Sequence, residues 1–374
     1  MRKGTTCSAT PLIAALIAAH VGLVSSAQAQ SAEIPFSTFD ELDVYAQSLT
    51  EENSFSGVVL VARDGKPIFH KAYGLASKNF QVPNRLDTKF NIGSLNKLFT
   101  SVAISQLAAR GELSYDDTLG KHLEGFSTEA AEKVTIRHLL QMKSGWGDYW
   151  TNDTYRESWF RLRTVDDYMD FLKKMPLDFE PGTRMEHSNT SFEILGAVIE
   201  KASGQDYYDY IRQHVYVPVG MTNTDSYHRD GPAKNLASNY TNNNPSDPVH
   251  EGYLWSNSYM LPPRGTPAGG GYSTTGDLLK FDLSLRNDIL LDEKHTNLFF
   301  RRYEGELGDE YQKPERPLML AGGASGLNSF LGIDLKNGYT VVVMSNYDPP
   351  IAIEIGRSIL QMLKDSPPET AEAS

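Results

Sequence analysis

Asn91-Ile92-Gly93-Ser94-Leu95-Asn96-Lys97 sets a serine hydroxyl and a lysine amine three residues apart, in the only Ser-x-x-Lys of the chain. At the start of a helix that spacing puts both side chains on one face. A serine hydroxyl is a poor nucleophile until a neighbour takes its proton, and a neutral lysine can do so. A helix N-terminus favours negative charge developing at the serine oxygen and disfavours a protonated lysine. Burial in a cleft would lower the lysine pKa further. Other chemistries find less support. The single cysteine, Cys7, lies within the amino-terminal segment, so no thiol nucleophile, disulfide or cysteine–metal site is expected beyond it. No histidine–carboxylate spacing suggests a metal, and no glycine loop opens a helix in the nucleotide-binding manner. The chemistry is expected to need no cofactor.

The elements that must hold these residues can be read coarsely. A helix is expected from about Thr38 to Leu49. A hairpin follows, with Val58–Val61 and Ile68-Phe69 flanking the turn residues Asp64-Gly65. Leu95, Leu98, Phe99 and Val102 mark the helix carrying Lys97, ending near Gly111. From roughly 112 to 265 the pattern is helical with long loops, the best helices running over Thr190–Ala202 and Tyr207–Val215; the Asn-rich stretch Asn235–Asp247 reads as a surface loop. Strand character returns over Leu318–Ala321, Asn328–Asp334 and Tyr339–Ser345, before a terminal helix over Ile351–Leu363. Strands at both ends predict one antiparallel sheet built from both termini and flanked by helices (an α/β unit), with an inserted all-α subdomain and the site at their interface. The corresponding divisions are 1–29, a signal peptide; 30–93 with 266–364, the sheet subdomain; 94–265, the mainly helical subdomain; and 365–374, a flexible tail.

The chain has 374 residues and a formal net charge of −12, the wrong sign for a nucleic-acid partner. Arg2 and Lys3, the apolar stretch Pro11–Val24 and Ala27-Gln28-Ala29 read as a cleavable export signal. The expected location is therefore periplasmic or extracellular, without stable membrane insertion after cleavage. Nothing in the sequence sets an oligomeric state.

Phe90 to Lys97 resembles the nucleophile segment of serine β-lactamase-like proteins: class C β-lactamases, DD-peptidases of similar fold and related esterases. The likeness continues through Val134–Leu140 with Ser144-Gly145, Pro181–Arg184 with Ser188-Asn189 and Leu195-Gly196, Pro218–Met221, and Ala268–Thr274 with Asp277-Leu278. The resemblance implies that Ser94 is acylated and that Lys97 is its proton partner. In the family's second motif a tyrosine precedes an asparagine by two residues; here His187-Ser188-Asn189 keeps the asparagine and replaces the tyrosine. An imidazole can accept a proton near neutral pH without first ionising, as a phenol must. The third motif, which usually leads with Lys, His or Trp, aligns with Leu320-Ala321-Gly322-Gly323. By analogy the backbone N–H groups of Ser94 and Gly323 form an oxyanion hole, and Leu320, Ala321 and Gly322 border the substrate. Leu320 cannot bind a carboxylate as a cation at that position would, which favours an esterase, or a hydrolase of uncharged amides, over a β-lactamase or peptidase. Tyr149 and Trp150 are candidates to line an apolar acyl pocket, with ordinary core packing as the alternative reading. The resulting expectation is an exported serine hydrolase acting through an acyl-enzyme on a small-molecule or peptide substrate. The alternative is a catalytically impaired protein of the same fold with a ligand-binding or regulatory role at the cell wall.

Overall fold

The computed structural model describes residues 35–242, 254–302 and 316–365. The expected signal segment, Cys7 and nearly all of the expected tail lie outside the described residues.

Helix α1 (Phe39–Glu51) is capped by Thr38, whose hydroxyl accepts from the Glu41 N–H. It leads into strands β1 (Gly57–Arg63) and β2 (Lys66–Tyr73). Asp64 and Gly65 join them with φ of 48° and 78°, the left-handed pair that a two-residue hairpin requires. Helix α2 (Lys97–Ala109) carries the lysine, and a 3-10 turn over Gly93–Asn96 precedes it, so Ser94 sits on that turn rather than inside the α-helix. Helix α3 (Asn189–Ser203) is capped by Ser188, whose hydroxyl accepts from the Ser191 N–H, and closes at Gly204 with φ of 69°. Helix α4 (Thr275–Arg286) precedes strands β3 (Leu318–Ala324), β4 (Leu327–Asp334) and β5 (Tyr339–Ser345), and helix α5 (Ile351–Asp365) closes the described chain.

The five strands form one sheet in the order β2-β1-β5-β4-β3, antiparallel throughout. Its central seam joins the two ends of the chain, from Gly57 opposite Ser345 to Arg63 opposite Tyr339. The sheet drawn from both termini is thus present. Side chains alternate between its faces. Val58, Leu60, Ala62, Leu331, Val342 and Met344 enter the core shared with α2, α3 and α4. Val59, Val61, Phe330, Val341 and Val343 pack beneath α1 and α5. Both faces are covered, which is why these strands are nearly continuous apolar runs.

Two details depart from expectation. Tyr240-Thr241, placed in a surface loop by composition, are buried and pair with Trp255-Ser256; residues 243–253 between them lie outside the described residues. The helix expected over Tyr207–Val215 is α-helical only over Tyr207–Ile211 and continues as a π-turn through Tyr216.

Candidate active site

Ser94, Lys97 and Asn189 come together between the sheet and the helices. Lys97 Nζ donates to Ser94 Oγ at 3.1 Å, to Asn189 Oδ1 at 2.6 Å and to the Ala268 carbonyl at 2.5 Å. All three donor positions of the ammonium are thereby satisfied. Lys97 is buried, and its amine lies 5.5 Å from the centre of the Phe192 ring. Burial pushes the amine down to about 8, against the opposing pull of Asp148 and Glu193. That shift makes a neutral Lys97, able to accept a proton from Ser94, far more accessible near neutral pH than for an exposed lysine.

The turn that presents Ser94 is pinned from several sides. Gly93 N–H donates to Asn91 Oδ1 at 3.0 Å, Ile92 N–H to the Gly271 carbonyl at 2.8 Å, and Ser329 Oγ to the Ile92 carbonyl at 2.8 Å. Gly93 adopts φ of 50°, and a Cβ there would stand 2.8 Å from the Gly323 nitrogen. A Cβ on Gly322 would stand 2.0 Å from the Ile92 carbonyl oxygen. Strand β3 and the Ser94 turn thus approach backbone to backbone, bringing the N–H of Gly323 alongside the turn that carries the N–H of Ser94. The Ala268 carbonyl is set by the Ser94 turn and α2: Asn96 Nδ2 of the turn donates to Thr266 O at 2.6 Å and Thr100 Oγ1 of α2 to Pro267 O at 2.7 Å.

His187 lies just ahead of α3 with its side chain about a quarter exposed. Its Nδ1 bonds to Asp148 Oδ2 at 2.8 Å, while Asp148 Oδ1 accepts the Asn189 N–H at 2.5 Å. One carboxylate thereby ties the histidine to the backbone of the residue that holds Lys97. When the ring is neutral and Nδ1 carries the hydrogen, Nε2 is left as an acceptor. Nε2 is buried and has no hydrogen-bond partner among the described residues.

Of the two readings of the aromatic residues, core packing describes Tyr149. Tyr149 is 2% exposed and does not line an open pocket. The rings of Trp150, Tyr155, Tyr168 and Phe171 lie 4.9–6.0 Å from its own, and its phenol donates to Glu193 Oε1 at 3.1 Å. Trp150 is half-buried on the same cluster. Leu320 lies opposite Leu331 and belongs to the core on the α2 side of the sheet, as does the backbone of Gly322; Ala321 alternates to the other face.

Two carboxylates at the site escaped sequence reasoning. Asp148 sits in Ser144-Gly145-Trp146-Gly147-Asp148, a loop without periodicity, and only contact in space links it to His187. Glu193 left a signal that could have been read: a lone charge in the apolar run Phe192-Glu193-Ile194-Leu195, one helical turn beyond Asn189. Among the described residues no cluster of His, Cys, Asp and Glu could hold a metal ion, and no helix is long and apolar enough to cross a membrane.

A serine hydroxyl bonded to a desolvated lysine beside a paired histidine and an asparagine is an arrangement able to carry out acyl transfer. The chain belongs to the Beta-lactamase family, whose model matches residues 42–364, and it is a serine hydrolase of β-lactamase-like type. It is 29% identical over 340 residues to Penicillin-binding protein 4* of Bacillus subtilis (strain 168), covering 82% of this chain and 71% of that protein. It is 35% identical over 192 residues to Esterase EstB of Burkholderia gladioli, covering 48% of each. The crystal structure of a penicillin binding protein from Bacillus halodurans superposes with a TM-score of 0.72 at 27% identity, covering 84% of this chain and 98% of that one.

Proposed function

We propose that this chain is an exported hydrolase in which Ser94 attacks ester or amide carbonyls and forms an acyl-enzyme, with uncharged esters preferred. The observation that carries the reading is the three-way clamp on Lys97, which aims a desolvated amine at Ser94 Oγ. Ser94 Oγ bonds to the carbonyl carbon as its proton passes to neutral Lys97. The carbonyl oxygen takes up negative charge, and the N–H groups of Ser94 and Gly323 donate to it. Collapse of this intermediate breaks the bond to the leaving group, which departs with the proton that Lys97 took from Ser94, and His187 stands as the second acid–base group of the site. Water then attacks the acyl carbon, loses its proton to the same bases and frees Ser94. Asn189 holds the lysine in both protonation states, and Asp148 holds the ring of His187. That pairing supports a working role for the histidine that replaces the family's tyrosine, in preference to an impaired binding protein.

Leu320 supports the preference for uncharged substrates: at 9% exposure in the core it offers no partner to a substrate carboxylate. The likeness to Esterase EstB points the same way. The amino-terminal pattern from Arg2 to Ala29 supports export and an uninserted mature protein. The division at residues 93–94 and 265–266 separates the sheet unit from the mainly helical one.

The test is intact-mass spectrometry of wild type and Ser94→Ala after exposure to a fluorophosphonate, a penicillin and a p-nitrophenyl ester. The expected result is one adduct mapped to Ser94, absent in the variant, and faster turnover of the ester than of the penicillin. Labelling that persists in Ser94→Ala would refute the nucleophile, and efficient penicillin hydrolysis with weak ester turnover would reverse the substrate ranking.

A further inference from the structure

Behind Lys97, away from Ser94, the helical side of the site encloses a carboxyl group that the mechanism above does not use. Glu193 is 0% exposed on α3, one turn beyond Asn189. Its Oε1 accepts from Tyr149 Oη at 3.1 Å. Its Oε2 has no hydrogen-bond partner of normal geometry among the described residues, although the Thr266 hydroxyl and the Ala268 N–H lie close enough to favour its anion. Those two residues flank the segment whose Ala268 carbonyl accepts from Lys97. A buried carboxyl without a full set of partners is costly unless a charge nearby compensates it.

We propose that Glu193 is a positioning residue for Lys97: a sealed carboxylate that balances the charge Lys97 acquires when it takes the proton of Ser94. This rests on the assignment of Ser94 and Lys97 as nucleophile and base. The groups facing Glu193 leave one candidate for its counter-charge. Lys97 approaches from α2 and is the cation that acts most strongly on it, while Tyr149, Tyr155, Tyr168, Tyr207 and Tyr208 surround it, the last with Arg264 over its ring. Those phenols are themselves pushed up by burial and stay neutral. Lys97 in turn feels two carboxylates: Asp148, which is committed to His187 and the Asn189 N–H, and Glu193.

The two buried groups shift toward each other. Burial raises the Glu193 carboxyl to about 7 and lowers the Lys97 amine to about 8. Burial thus pushes each group toward its neutral form while each favours the charge of the other, and the pair titrates as a unit. An ionised Glu193 makes Lys97 a stronger base and at the same time keeps more of it protonated. Removing that charge should reverse both effects.

The experiment is the pH dependence of fluorophosphonate labelling at Ser94, mapped by mass, in wild type, Glu193→Gln, Glu193→Asp and Tyr149→Phe. Glu193→Gln keeps an acceptor for Tyr149 and removes only the charge. Its acid limb should move down by about one pH unit, the effect of losing one nearby opposite charge, while its plateau rate falls. Glu193→Asp should return the limb toward wild type. Tyr149→Phe withdraws a donor that stabilises the Glu193 anion, so its limb should move in the same direction by a smaller amount, and it decides the matter if the glutamine variant does not fold. A uniform loss of rate with an unmoved limb in Glu193→Gln, or in Tyr149→Phe should that variant stand alone, overturns the proposal while leaving Ser94 and Lys97 in their roles. Absence of Ser94 labelling in the wild type overturns the parent reading and this one together.

Discussion

At the scale of single residues, the site is a chain of held groups in which each polar atom fixes the next. Ser94 meets Lys97, Lys97 meets Asn189, and Asp148 couples the Asn189 backbone to His187. A histidine filling space would not need a carboxylate of its own; one moving protons would, because the bond at Nδ1 sets the tautomer and the aim of Nε2. On this basis His187→Ala should lower kcat/KM for a p-nitrophenyl ester by about 10²–10⁴-fold, the usual size of a general acid–base contribution. Asp148→Asn should fall between wild type and His187→Ala, since the ring stays but loses its anchor. His187→Tyr restores the family's residue and should move the pH profile without abolishing turnover. Steady-state kinetics of the three variants checks this ordering. An alanine variant with wild-type rates and an unmoved profile would leave Lys97 as the sole activator of Ser94.

At the scale of elements, catalytic geometry depends on two backbones meeting without side chains between them. Strand β3 reaches the Ser94 turn at Gly322, and the turn reaches β3 at Gly93. Gly322→Ala would force a methyl group to 2.0 Å from the Ile92 carbonyl oxygen, so one backbone must retreat. The expected outcome is a loss of about 10²-fold or more in acylation rate, the scale of losing an oxyanion donor, together with about 1–3 kcal/mol of stability from overpacking. Chemical denaturation and single-turnover labelling measure the two separately; an unchanged labelling rate would show that Gly323 is no part of the oxyanion hole. Much at this scale was legible beforehand. The Asp-Gly hairpin, the apolar runs of β1, β4 and β5 and the helix after Ser94 each declare themselves through local turn chemistry or periodicity. What was not legible depends on distant partners. The pairing of Tyr240-Thr241 is decided by Trp255-Ser256 rather than by composition. Tyr149 left both readings open, because an aromatic side chain beside a Gly-rich loop has no periodicity to say whether it faces a cleft or a core. The place of Leu320 in the core follows from its register opposite Leu331, which no local pattern announces.

At the scale of the whole molecule, the sheet is a middle layer whose two sides serve different ends. The side beneath α1 and α5 is apolar packing, whereas the side toward α2 and α3 adds to its apolar core Lys97 and Glu193, each 5% exposed or less. Buried charges of this kind are retained for chemistry at the expense of stability. The sign of the pH dependence follows from the Glu193 shift. Its folded-state carboxyl titrates near 7, above the ordinary value of 4.5, so between those values the folded protein holds a proton that the unfolded chain has released. Stability contributed by the protonated form is present below 4.5 and lost as pH rises toward 7. Glu193→Gln keeps the neutral shape and escapes that loss. Its melting temperature should therefore stand close to wild type near pH 4.5 and rise above it as pH approaches 8, by about 2–6 °C for a chain of this size. Calorimetry of both proteins across pH 4.5–8 tests the sign directly. A variant that is less stable at pH 8 than at pH 5, relative to wild type, would mean that the Glu193 anion is a net stabilising partner of Lys97 and that the fold does not oppose its ionisation.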